Sequence, residues 1–173
     1  MPISGKPDRS NPDAMQTKPS IILGIDPGPK KTSMVLWRTE KKVIYQTWIF
    51  DLSPDGRYTD QYGDPPRLPI LPPDVIAYEM PIPYPKAGKD ITETAFECGC
   101  LIGILNPDGA IPRKPIYRAT IKSHFGIKRG VDADAAIRKI LINICGKAQT
   151  KGITSHLWSA LAVAITAADM SKT

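Results

Sequence analysis

Two acidic residues stand where apolar runs meet a turn. Asp26 closes the apolar part of IILGIDPG (Ile21–Gly28), where Pro27 and Gly28 turn the chain. Glu79 lies near the end of VIAYEM (Val75–Met80), just before the proline-bearing PIPYPK. A carboxylate beside a central strand is costly unless it is paired or bound to a metal. An Asp-Pro-Gly tripeptide is by itself usually a surface turn, and a strand-end glutamate can simply face water. The apolar residues before both acids, however, read as strands buried in the middle of a sheet. A third polar spot is the start of SHLWSALAVAITAAD, where Ser155, His156 and Ser159 are the only polar residues before Thr166.

Positive charge is the other chemical signal. The net charge of +6 and pI near 9.2 are a modest pointer to a polyanionic partner. Its distribution says more. Between residues 113 and 151 stand Arg113, Lys114, Arg118, Lys122, Lys128, Arg129, Arg138, Lys139, Lys147 and Lys151, against only Asp132 and Asp134.

These groups need a scaffold, and 173 residues suffice for one domain with a real core. A hydrophobic share of 42% and a charged share of 23% describe an ordinary globular protein. No apolar run is long enough to span a bilayer, so no membrane partner is expected. Residues 1–20 are polar and proline-bearing and read as a disordered lead-in, leaving 21–170 as the folded domain. Cys98, Cys100 and Cys145 cannot all pair within one chain and lack zinc-site spacing, so they read as reduced core thiols of a cytosolic protein.

The run around Asp26, residues 32–37 and residues 43–50 make three strands with short connections, an antiparallel meander. Residues 51–74, dense in Pro, Gly and Asp, form a long irregular loop. Val75–Met80 is a fourth strand that the prolines stop just past Glu79. A helix over 90–105 carries Ile91, Ala95, Cys98, Ile102 and Leu105 at helical spacing, with Gly99 and Gly103 together on one face. A short fifth strand covers 115–119. Asp132 caps a helix over 133–145 whose buried stripe is Ile137, Ile140, Leu141 and Ile144. The last helix, 155–169, is apolar nearly all round and so mostly buried.

This order suggests an α/β, RNase H-like layout: a five-stranded mixed sheet flanked by helices, with the acid-bearing first and fourth strands adjacent at its centre. The motifs LGIDPG, VIAYEM, TETAFECGCLIGIL, YRATIKSHFGIKRGVDADAAIRKIL and SHLWSALAVAIT occur in one order from about Ile21 to Ala168. Together they resemble the RuvC-like Holliday junction resolvases. The resemblance implies a metal-dependent endonuclease, usually a homodimer, that nicks paired strands of four-way DNA junctions in recombination and repair. It also implies a cytoplasmic protein, with a phage or prophage gene as one source.

Residue by residue, Asp26 matches the family's acid on the first strand and Glu79 the acid ending the fourth. His156 and Ser159 fall at the two places, three apart on the final helix, where the family carries acids. A histidine at the first place is a known variation, and a serine at the second is a departure. Residues three apart share a helical face, so both could look toward Asp26. The implied metal ligands are Asp26, Glu79 and His156, holding Mg²⁺, with Mn²⁺ also supporting activity. Ser159 is a poor ligand. The basic segment makes Lys122, Lys128 and Arg129 the candidate DNA contacts. Tyr84 and Lys86 follow the fourth strand, where the family has a substrate-contacting loop; Tyr84 could stack on a base or order its own prolines. The family places a helix between the third and fourth strands. Here the proline-rich 51–74 stands in its place, so that side of the sheet should be less covered.

Two other functions compete. A junction-binding protein of the same fold with lost catalysis is favoured by Ser159 and opposed by Asp26, Glu79 and His156. One lobe of a sugar-kinase or actin-like ATPase also opens on a glycine-bounded Asp, but the chain is short for two lobes and holds no second glycine-rich phosphate motif.

Overall fold

The computed structural model describes residues 19–53, 57–67, 71–81 and 89–171. The elements in chain order are β1 (Ile21–Asp26), β2 (Lys31–Arg38), β3 (Val43–Leu52), β4 (Tyr58–Thr59) and β5 (Val75–Met80). They continue with α1 (Lys89–Leu105), β6 (Arg113–Tyr117), α2 (Arg118–His124), α3 (Ala133–Cys145) and α4 (Ser155–Met170). One mixed sheet of order β4-β3-β2-β1-β5-β6 holds every described strand, so an RNase H-like α/β architecture with helices on both faces is what the chain adopts. No described helix is long and apolar enough to cross a membrane.

β1 is central because both its edges and both its faces are used. It pairs antiparallel with β2 and parallel with β5. Its side chains alternate: Ile22 packs into the core that α4 covers, and Leu23 and Ile25 into the core that α1 covers. All three are fully buried, and each such side chain is worth roughly 1.5–3 kcal/mol. Asp74 sets the parallel register at the outset. Its Oδ2 accepts from the backbone N–H of Ser20 at 2.7 Å and of Ile21 at 2.9 Å.

Gly24 explains the interior glycine of the apolar run. A Cβ there would overlap the Ala160 carbonyl oxygen and lie 2.8 Å from Ala164 Cβ. The α4 backbone therefore rests directly on β1, and its alanines, fully buried at 160, 162, 164 and 167, keep that approach open. The near-uniform apolarity of the last helix has this cause.

Several expectations are corrected. The sheet has six strands, not five, because Tyr58–Thr59 pairs with Asp51–Leu52 inside the stretch read as irregular. Two residues have no detectable period. Burial of the Tyr58 ring, with its hydroxyl donating to Glu97 on α1 at 2.9 Å, holds them in place. The fifth strand of the expectation ends two residues early, since Arg118 and Ala119 open α2. The short helix forms because it buries Ile121 against the α4 side of the core. On α1, Ala95 is exposed, and the buried stripe runs through Thr94, Cys98, Leu101, Ile102 and Leu105. Cys100 is exposed rather than a core thiol, while Cys98 and Cys145 are buried. The Asp132 cap stands as expected: its carboxylate accepts from the backbone N–H of Asp134 and Ala135 at 3.1 and 3.2 Å. Of the polar lead-in, only Pro19 and Ser20 fall within the described residues.

Gly24→Ala should cost at least about 1–3 kcal/mol, the range for forcing atoms into a packed core. Urea denaturation measures it. A variant as stable as the wild type would mean that α4 does not sit on β1 in this way.

Candidate active site

Strand alternation fixes which way the acids face. Ile22 and Gly24 point toward α4, so Asp26, two residues on, does the same. On β5, Ala77 packs on the α4 side, so Glu79 shares that side. The pairing of Gly24 with Ala77 and Ile25 with Tyr78, continued by one residue, sets Asp26 beside Glu79. Neighbouring strands lie about 4.8 Å apart, so two carboxylates meet at the same end of two parallel strands.

The same logic places the imidazole. Ala164 and Ala160 meet β1 at Gly24, and His156 lies one further turn back on that face. Its Nδ1 is 3.2 Å from Asp26 Oδ2. The ring remains 58% exposed, while the Asp26 side chain is only 14% exposed, so the acid is sunk and the imidazole borders solvent. Ser159 is half-buried and lines a cleft of about 330 Å³ with His156, Trp158, Ala162, Arg118 and Asp134. Across the cleft, the Arg138 guanidinium lies 5.2 Å from the centre of the Trp158 ring.

Arg118 and Asp134, both in the basic segment, have roles at the site that the sequence pattern does not assign them. Arg118 Nη1 donates to Glu79 Oε2 at 3.4 Å, and its Nη2 is paired with Asp134 Oδ1. The legible signal is positional. β6 pairs with β5 so that Glu79 lies opposite Ile116 and Met80 opposite Tyr117. The next residue, Arg118, therefore leaves the sheet beside Glu79 as the first residue of α2.

Burial raises the carboxyl pKa of both acids. At Asp26 the His156 hydrogen bond and charge oppose the rise without cancelling it. At Glu79 the Arg118 charge opposes it, while the charges of Asp26 and Asp134 add to it. Burial thus disfavours the charged form of both acids, and a nearby cation would favour it. Next to Asp26 on β2, Ser33 is fully buried and its hydroxyl has no partner among the described residues. Hard divalent cations such as Mg²⁺ need few protein oxygens and keep several waters, so Asp26 and Glu79 fit one, with His156 adjoining. Among the described residues, no three His, Cys, Asp or Glu side chains converge as a ready-made metal cluster.

The anticipated DNA-contacting residues fall into two groups. Lys122, Lys128 and Arg129 are all exposed and line one surface depression with Gly130 and Val131. Gly126 (φ 64°) and Gly130 (φ 87°) bend the loop that carries the last two, in a conformation that other residues adopt at a cost. Tyr84 and Lys86 lie outside the described residues.

No family model matches the sequence, and it matches no curated protein. Solved structures do match the fold. Thermus thermophilus RuvC aligns with a TM-score of 0.59 at 16% identity, covering 84% of this chain and 92% of that one. T. thermophilus RuvC in complex with a Holliday junction substrate aligns with a TM-score of 0.58 at 17% identity, covering 84% of this chain and 90% of that one. The chain therefore has a RuvC-like fold.

The raised pKa of Asp26 has a consequence for stability. A carboxyl group whose pKa is raised by folding favours the fold while protonated; that contribution is complete below the unfolded pKa and is lost as pH rises through the folded one. Charged Asp26 is therefore a cost at neutral pH in metal-free protein. Asp26→Asn should raise the melting temperature at pH 7 with chelator present, and the difference should shrink on acidification to pH 3. A variant less stable than wild type at pH 7 would show that the His156 contact outweighs the burial.

Proposed function

We propose that this RuvC-like chain is a metal-dependent endodeoxyribonuclease acting on four-way or related branched DNA. The observation that carries the reading is the sunken Asp26–Glu79 pair on adjoining parallel strands, with His156 against Asp26. An exposed basic depression formed by Lys122, Lys128 and Arg129 supports it, as does the fold shared with a RuvC solved on a Holliday junction substrate.

Asp26, Glu79 and His156 are the residues that would hold Mg²⁺ or Mn²⁺. The cation supplies, when bound, a more acidic water and a Lewis acid for the phosphate. Hydrolysis joins the water oxygen to phosphorus and breaks one P–O bond; the attacking water gives up a proton and the leaving oxygen gains one. His156, with Nδ1 directed to Asp26, keeps Nε2 for taking that proton or for binding metal. Nitrogen ligation strengthens along the transition series, so the imidazole favours Mn²⁺ over Mg²⁺. Lys122, Lys128 and Arg129 bind backbone phosphates without reading sequence.

Paired nicks need two sites, and a homodimer completes the proposal. On α1, Phe96, Gly99, Cys100, Gly103 and Ile104 make an exposed stripe, with Phe96 68% and Ile104 52% accessible. Apart from the chain neighbours and the helix's own backbone, no described atom lies within 4 Å of where a Cβ would stand on either glycine. That face can receive the same face of a second copy at short backbone distance.

A second reading, junction binding without cleavage, is favoured by Ser159, an uncharged residue in the cleft. Nicking of a synthetic junction with Mg²⁺ or Mn²⁺ separates the two.

Asp26→Asn and Glu79→Gln should each abolish cleavage while junction binding stays intact or tightens, because shape is kept and negative charge removed. Near-wild-type single-turnover cleavage by either variant would sink the site assignment.

Affinity should fall steeply with salt as bound phosphates release counterions. Replacing Lys128 and Arg129 with Ala should flatten the log–log salt slope by about 2 units, one per phosphate contact. An unchanged slope would move the DNA surface elsewhere.

A further inference from the structure

We propose that Arg118 is a resident second cation of the site, so that the chain takes one divalent ion where a two-metal arrangement takes two. The proposal rests on the reading of Asp26 and Glu79 as metal ligands. Arg118 bridges two carboxylates: one arm of its guanidinium reaches Glu79 Oε2 at 3.4 Å and the other pairs with Asp134. It is held there by the backbone, since β6 runs beside β5 and turns into α2 at this residue. Its side chain is 29% exposed, against 78% for Asp134, so the cation sits inside the cleft mouth and is not a solvated surface charge.

Charge decides what else the site can take. Asp26, Glu79 and Asp134 bring three negative charges, and Arg118 returns one of them, because a guanidinium does not lose its proton in proteins. The remainder matches one divalent cation. A second would need a further carboxylate, and the final helix offers the neutral Ser159 in the same cleft. It would also lie near a fixed guanidinium and be repelled by it. The guanidinium can neutralise a phosphate oxygen and donate hydrogen bonds to it, as a second metal would neutralise it.

Mn²⁺ stoichiometry of the full chain, measured without DNA by equilibrium dialysis and electron paramagnetic resonance, tests this independently of cleavage. The wild type should bind one Mn²⁺ per chain, and Arg118→Gln a second, tightened at least about tenfold over the wild type's residual second binding. Circular dichroism checks that the Gln variant is folded. Arg118→Lys keeps the charge and must keep the count at one; a count of two there overturns the proposal by itself, whatever the Gln variant does. Two ions on the wild type, or an unchanged count in a folded Gln variant, overturn it as well. No Mn²⁺ on either the wild type or the Gln variant would instead overturn the metal-site reading beneath it. An ion bound only when Arg118 is removed would replace the one-metal site with a silenced one.

Discussion

The contact of α4 with Gly24 is the constraint on which the rest depends. A helix backbone can lie on a central strand only where the strand has no Cβ and the helix has small side chains. This chain meets both conditions with one glycine and the alanines of α4. Once that contact is made, two periodicities run outward from it. The period of two carries the strand face from Gly24 to Asp26, and the helical period carries the α4 face from Ala164 and Ala160 to His156. The carboxylate–imidazole pair is therefore a by-product of core packing, fixed by the same atoms that close the hydrophobic layer.

Electrostatics at the sheet's end works against that packing. Two carboxylates on adjoining strands are pressed into a partly desolvated place, where burial disfavours the charge of both and the charge of Asp26 adds to the effect at Glu79. The chain answers with protein partners, an imidazole on one acid and a guanidinium on the other, and neither answer is complete. The disfavoured charge at both acids is a cost that the fold bears. Core burial on both faces of β1 is what supports it.

The basic surface is separate in origin. Lys122, Lys128 and Arg129 come from the end of α2 and the following glycine-shaped loop, not from the sheet. α2 also begins with Arg118, so one short helix links the carboxylate pair to the exposed basic surface. Anything that shifts α2 against Ile121's seat in the core would move both together.

Most of the scaffold was legible in the sequence because its long elements carry strong periods. The apolar runs before Asp26 and Glu79, Ile137 and Leu141 of α3 with its Asp132 cap, and the apolar last helix each announce their burial locally; on α3, Ile140 and Ile144 are only partly buried and Cys145 completes the buried stripe. The pairing of Asp26 with His156 across 130 residues was reachable only through family resemblance, since local patterns carry no information about which faces meet. Other features left no local trace. Tyr58–Thr59 is too short for a period and exists because the β3 edge and the α1 face receive it. The Arg118 bridge between Glu79 and Asp134 depends on the alignment of β6 with β5 and on α3 bringing Asp134 to the guanidinium. Charge type is written in the sequence. Which charges meet is decided by strand register and helix seating, because a carboxylate's partner is set by a few ångströms of tertiary geometry.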